Sequence, residues 1–497
     1  MMGRKMPEPK LYVSFSLDSV VPARHLVRRL AEAIDFDFVH GLVRDCYSHT
    51  GKRSVDPVVL FKLWLLGYLY GITSERRLCE EASLNLAWRW FLGYELDEAL
   101  PDHSVLTKAR RRFGVRIYEL FFGRIVKLCD ERGLVQGDLL FLDSTLIDAD
   151  ASQDTLGSRA LLGQRLKDPG QYVRDLQVVN DPPPMPEPPR AKDGRGPKPG
   201  RTPEPSWRDT LASTTDPDAE LATRRNGRRG LAYKTQVAVD GGKANIITAI
   251  DVGPAGDSDA SAVGKMLDKH ETNLGRAARE LVADSGYGTD GGYRACLARE
   301  VRATLKTPSR VRSKTQFSAD QFTYVRERDV FICPAGQELY RSKDLFEIGK
   351  AVYQPVQAGV CASCPLKARC IRGKGDRTVQ RNWDADVLQA AQAHLSTAQG
   401  RARFRRRQIV SERTMAELKC HHGFDRAQFR GRASVQIQAL LTGTALNVKQ
   451  LLKRAPQAQS GWAQTSLQAG VGLFCGMVLA VWLALREPIW APEPSRA

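Results

Sequence analysis

DLLFLDSTLIDADAS, Asp138 to Ser152, is the stretch whose reading decides the fold. Leu139 to Leu142 is a short apolar run that ends on Asp143 and then gives way to alternation, the pattern of a buried strand with a carboxylate at its end. Open α/β sheets place their sites beyond the carboxyl ends of strands, where a side chain projects from a rigid scaffold. ARELVADSGYG has the same form and ends its apolar run on Asp284. Taken singly, either aspartate also reads as a turn residue, because Asp after a strand commonly bonds the next backbone N–H. Between the two, YKTQVAVDGGKANIITAIDV (Tyr233 to Val252) holds two β-rich runs around Asp240-Gly241-Gly242, a hairpin signal, and a helical stretch follows from Ser258 to about Asn273. Strands mixed with helices at this spacing predict an α/β layer.

Upstream the periodicity is helical. PVVLFKLWLLGYLYGI (Pro57 to Ile72) and EEASLNLAWRWFLGY (Glu80 to Tyr94) repeat apolar residues at three- and four-residue spacing, and Asp56-Pro57 reads as an N-cap followed by proline at the first helical position. PDHSVLTKARRRFG (Pro101 to Gly114) then places a cap before a helix carrying Lys108, Arg110, Arg111 and Arg112, either a phosphate clamp or a solvated basic face. Residues 1–133 are therefore expected to form a helical domain.

The whole chain has 497 residues, with 42% hydrophobic and 26% charged, enough apolar content to exclude wholesale disorder. Lys plus Arg number 74 against 56 Asp plus Glu, a formal net charge of +18 that points to a polyanionic partner, nucleic acid before a membrane surface. Ten cysteines are too dilute for a disulfide-stapled secreted scaffold, and MMGRKMPEPKLYVSF lacks a signal-peptide run, so a reducing cytoplasm is expected.

Two stretches read as insertions and one as a tail. Residues 164 to about 228 include DPPPMPEPPRAKDGRGPKPGRTPEP, which holds ten of the 26 prolines, and read as a disordered insertion, basic at Arg224 to Arg229. Residues 311–400 carry Cys333, Cys361, Cys364 and Cys370, the ligand count of a tetrahedral zinc site, although the spacing is irregular and four unconnected thiols are the alternative. Ala469 to Leu485 has no charge over 17 residues, the lower limit for a membrane span, and reads first as a buried or self-associating helix. Before that tail, Arg401 to Arg454 is basic and helical in pattern, with Glu412 and Lys419 seven residues apart on one helix face. Two aspartates and a glutamate supply the hard oxygen ligands that magnesium requires, and two such ions suit an in-line phosphoryl displacement.

Several blocks in this order resemble the bacterial insertion-sequence DDE transposases, in particular the group numbered eleven-eighty-two. They are SVDPVVLFKLWLLGYLYGITSERRLCEEASLNLAWRWFLGY with LPDHSVLTKARRRFG, LDSTLIDADAS, STTDPDA (Ser213 to Ala219), ADSGYG, the cysteine insertion, and Glu412 to Lys419 followed by HHGFDRAQFRG. The resemblance implies an RNase H-like α/β core behind an all-α DNA-binding domain. It further implies a catalytic and metal-binding set of Asp143, Asp284 and Glu412 using magnesium or manganese, with structural zinc on the four cysteines. DNA contacts are expected from Lys419, Arg426, Arg430, Arg110 and Arg111, with double-stranded DNA as partner, a homodimer in the DNA complex and a nucleoid location. The third acid stands on residues 401–454, and Glu417 competes with Glu412 but lacks the lysine spacing. The family often has an arginine four residues before its glutamate and a tyrosine seven before. Here Gln408 and Arg405 hold those places, with Arg407 one position off. That departure keeps a second reading in view, a catalytically decayed DNA-binding descendant of such an element.

Overall fold

The computed structural model describes residues 14–51, 53–158, 211–224, 227–306, 317–346, 349–371, 373 and 375–454. The apolar tail and the proline-rich residues 164–210 lie outside this set.

Among the described residues the chain opens with the α-helices α1 (Leu17–Val20), α2 (Leu26–Ala33), α3 (Phe38–Val43), α4 (Pro57–Tyr70), α5 (Glu75–Leu84), α6 (Leu86–Leu92) and α7 (His103–Glu131). Asp56 caps α4 as its sequence predicts, its Oδ1 accepting from Val58 N at 2.8 Å with Pro57 in the first turn. The helical pattern over Glu80 to Tyr94 is interrupted at Asn85, whose side-chain oxygen Oδ1 accepts from Ala87 N and Trp88 N and starts α6 afresh. Side-chain capping of this kind offers the backbone an alternative to continuing the helix.

The sheet that follows is built on β1 (Leu139–Asp148). β1 runs antiparallel to β5 (Arg229–Asp240), which pairs with both β4 (Glu220–Thr223) and β6 (Ile247–Pro254). On its other side β1 runs parallel to β7 (Glu280–Ala283), and β7 parallel to β8 (Arg302–Leu305). The β5–β6 hairpin turns where Asp240-Gly241-Gly242 predicts it. Asp240 is buried and accepts from Gln136, Gly137 and Gly242 N–H, and a Cβ on Gly241 would lie 2.6 Å from the Leu139 side chain.

Residues 211–223, expected inside the disordered insertion, instead form two strands. β3 (Leu211–Ser213) pairs with β2 (Leu156–Ser158), and β4 joins the main sheet. The LAS run has its strand partner across the insertion, whereas ELAT pairs with the β5 strand that follows it.

Each face of the sheet is covered. Phe141, Val237, Val239 and Val282 pack with the opening helices, α12 (Ala398–His422) and α13 (Arg432–Arg454). Leu140, Leu142, Ala238, Leu281 and Ala283 pack with α8 (Val263–Leu274), α9 (Asp290–Leu297) and α11 (Ala385–Ser396). The strand alternation sorts one set from the other. The opening helices and the sheet therefore share a core within one compact unit.

β6 would present unpaired backbone groups, and two α13 amides satisfy them. Asn447 exchanges two 2.8 Å bonds with Ile247 N and O, and Gln436 accepts from Val252 N at 2.6 Å and donates to Ile250 O at 3.2 Å. The STTDPDA block holds the start of that helix: Asp216 Oδ1 accepts from Gly431 N at 3.1 Å and from the Tyr233 hydroxyl, and Asp218 accepts from Arg432 N at 2.9 Å.

The cysteine-bearing segment forms a five-stranded antiparallel sheet of β9 (Thr323–Val325), β10 (Val330–Ile332), β11 (Glu338–Leu345), β12 (Lys350–Gln354) and β13 (Val379–Asn382), with its own core and the short α10 (Lys367–Cys370). Among the described residues no single helix is long and apolar enough to cross a membrane.

Candidate active site

Asp143 is the fifth residue of the ten-residue β1 rather than the end of a short strand, because pairing with β5 carries β1 on to Asp148. Asp284 follows β7 directly, as its sequence predicts. The parallel register ends at Leu142 beside Ala283, so the next residues on the two strands are the two aspartates. They follow Phe141 and Val282 by two positions and project to the same face, the one α12 covers.

The inner face of α12 is Arg407, Ser411, Thr414, Leu418 and His422, spaced by three or four residues. It delivers a cation to the acids. Arg407 Nη2 lies 2.7 Å from Asp143 Oδ1 and 3.8 Å from Asp284 Oδ2, and it also reaches Leu142 O at 3.4 Å. Its side chain is only 8% exposed, and its Nε is buried without a partner. Burial pushes the Asp143 carboxyl above the ordinary aspartate value. Arg407 and the Ser144 N–H pull the other way, and the charges of Asp284 and Asp259 add to the rise. Arg407, one position from the place where the resemblance expects an arginine, is the one that the helix turns toward the sheet. Sequence reasoning noted Arg407 only as one position out of register, because a run of arginines does not mark the buried one.

The other expected residues divide. Glu412 is exposed on α12, and its Oε1 accepts from Gln408 Nε2 at 3.3 Å. Glu417, the competing acid, is committed elsewhere. Burial raises its carboxyl, but Lys449 at 2.9 Å, with His422 and Lys453 behind it, holds it below the ordinary value. Lys419 turns toward β1, donating to Leu146 O at 3.4 Å, and burial, with Arg224 beside it, lowers its pKa. Arg426 and Arg430 both meet Asp150, at 3.2 and 3.4 Å, while more than half of each side chain stays exposed.

Arg110 is a correction. It is buried, paired with Glu75 and stacked 3.8 Å from the centre of the Phe429 ring, so it braces the interior and is not open to a phosphate. Arg111, the next residue, is exposed.

Cys333, Cys361, Cys364 and Cys370 line one cavity beside the second sheet, where the Arg377 N–H points at Cys361 Sγ over 3.5 Å. Burial raises the thiol pKa of Cys361 and Cys370. Among the described residues no three of His, Cys, Asp and Glu stand in an arrangement able to hold a metal ion, either here or at the aspartate pair.

With this geometry in hand, two segments of the chain match known families. Residues 15–112 match the transposase domain DUF772, and residues 332–452 match the transposase DDE domain. Each matched segment is similar to a transposase domain. The first spans α1 to most of the basic helix turn of α7. The second spans β11 to β13 of the cysteine sheet, α12 with Arg407 and Glu412, and nearly all of α13, while Asp143 and Asp284 lie outside both. No curated protein matches the chain. Both matches are to transposase families, and each covers less than half of the chain.

Proposed function

We propose that this protein is the DNA transposase of an insertion sequence, with an RNase H-like core that cuts and joins phosphodiester bonds. The observation that carries the reading is the pair of aspartates on adjacent strands, bridged by a buried arginine from a helix inside a transposase DDE domain match. The strand order β6-β5-β1-β7-β8, antiparallel then parallel about β1, supports the RNase H-like assignment.

The donor chemistry fits a divalent cation, since two hard carboxylates already share one positive charge. Asp143, Asp284 and Glu412 would hold magnesium or manganese. Such ions activate a water or a 3′-hydroxyl and stabilise the leaving oxygen of an in-line displacement. Glu412 would enter from the exposed side of α12 after leaving Gln408. Arg407 lies within reach of both aspartates and, once released from them, would be free to pair with the scissile phosphate. Arg426 and Arg430 would exchange Asp150 for backbone phosphates, and Lys419 would contact DNA near the end of β1. Arg111 and the exposed face of α7 would serve element-end binding, in a homodimer that brings two ends together in the bacterial cytoplasm.

The four cysteines would hold a structural zinc ion, to which their convergence on one cavity gives the thiolate donors. Metal analysis of protein purified without chelator tests this, and zinc well below one equivalent would sink it.

The functional test uses Asp284→Asn in a gel shift and a cleavage assay on the element end. Retained binding with lost cleavage is expected, because the change removes ligand charge and leaves the basic surface intact. Loss of binding would count against the reading.

A further inference from the structure

On the face of the sheet opposite Arg407 lies a chain of polar side chains with no part in the chemistry above. Tyr287, three residues past Asp284, is fully buried and donates its hydroxyl to Gln236 Oε1. Gln236 stands across from Ser144, the neighbour of Asp143, and its Nε2 donates to Asp259 Oδ1 at 3.1 Å. Lys234, two residues along β5, lies 3.3 Å from the same oxygen and donates to Asp257 O at 2.6 Å. The other carboxylate oxygen of Asp259 sits over Gly286, where a Cβ would come within 2.5 Å of it. Gly286 N in turn donates to Asp284 Oδ1 at 3.0 Å.

Asp143 and Asp284 differ in what holds them. Asp143 is inside a strand paired on both sides, whereas Asp284 is the first residue past a four-residue strand, and its side chain is 36% exposed. Sites on loops are less precise than sites on strands unless a second layer of contacts fixes them. Asp259 comes from neither acid's element. It opens the short 3-10 turn Asp259–Ala262 before α8, and it meets the 284–288 turn both directly at Gly286 and through Gln236 and Tyr287.

We infer that Asp259 is a positioning residue, which braces the turn behind Asp284 and so holds that carboxylate beside Asp143. The inference rests on the transposase reading and adds to it a residue outside the acid triad. It also explains Gly286, since any side chain there would displace the Asp259 carboxylate.

The experiment compares Asp259→Ala and Asp259→Asn in the full chain by single-turnover cleavage across a magnesium titration, Mn2+ binding by electron paramagnetic resonance, and gel shift. The alanine variant should cleave roughly ten- to a hundredfold more slowly, the loss expected from a misplaced reacting group. It should also need more magnesium for half-maximal rate, bind Mn2+ more weakly, and bind element ends as the wild type does. Asparagine keeps an oxygen for Gln236 and the bulk over Gly286, so it should restore most of the rate. Gly286→Ala should reproduce the alanine defect from the other side of the contact. The inference is overturned if the alanine variant cleaves and binds Mn2+ like the wild type. It is also overturned if asparagine is as poor as alanine, which would make Asp259 a ligand, or if cleavage and DNA binding fall together. A wild type that does not cleave strikes the transposase reading instead, and the Mn2+ comparison still decides the role of Asp259.

Discussion

Arg407→Met isolates the charge that holds the aspartate pair, because methionine retains an apolar stem in the space under α12. Removing one partner of a buried ion pair costs about 3–5 kcal/mol, since the remaining charge is left unpaired. Here the Asp143 and Asp284 side chains keep 20% and 36% exposure, so water recovers part of that loss. A destabilisation of about 2–3 kcal/mol in metal-free buffer at neutral pH follows. The vacated pair then becomes a better cation site. Magnesium at a hundred times its Kd adds about 2.7 kcal/mol to a protein that binds it only when folded, so the metal should nearly close the gap. The wild type should gain less, because there the ion competes with the guanidinium. Urea unfolding with EDTA and with magnesium measures both. A variant within about 0.5 kcal/mol of wild type in EDTA, the ordinary scatter of a surface substitution, would refute the view of Arg407 as resident counter-ion. So would a gap that magnesium leaves unchanged.

Three more outcomes follow from the same contacts. Glu412→Gln should abolish cleavage at unchanged stability, whereas Glu417→Gln should lose about 1 kcal/mol through Lys449 and still cleave; the reverse pattern in paired cleavage and unfolding assays would make Glu417 the third acid. Arg110→Ala should destabilise the fold by about 2–4 kcal/mol without altering the salt dependence of end binding, while Arg111→Ala should lower the slope of log affinity against log salt by about one; equal slopes in both would contradict the assignment. Burial holds the His422 imidazole below its ordinary 6.5, with Tyr68 O at 2.7 Å from its Nδ1. A histidine with a depressed folded pKa gains its proton more easily when unfolded, so its stabilisation is present above 6.5 and is lost as pH falls below it. Stability should therefore decline from pH 7 to 5, and less steeply in His422→Gln; identical slopes would remove His422 as a cause.

What the sequence made legible were the features whose signal is local. Asp56-Pro57, the Asp240-Gly241-Gly242 turn and the run ending on Asp284 all act within a few residues of themselves. Asp143 was found but misplaced at a strand end, because the continuation of β1 depends on β5, whose partner residue lies nearly a hundred positions downstream. The purposes of Asp216 and Asp218 were hidden for the same reason, as they cap a helix that starts at Arg432. In the KARRRFG (Lys108 to Gly114) and FRRRQ (Phe404 to Gln408) runs, helical phase alone decides which arginine is buried. Composition therefore suggested Arg110 as a phosphate contact, and spacing left Arg407 one position out of register. Asp259 carried no sequence signal, since its meaning lies in the space above Gly286.

The most direct test of the central claim is cleavage of a labelled duplex spanning the element boundary by the wild-type chain and by Asp143→Asn, in magnesium. The account predicts cuts at the boundary by the wild type and none by the variant, with both binding the duplex equally. Binding without cleavage by the wild type, in magnesium and in manganese alike, would contradict it.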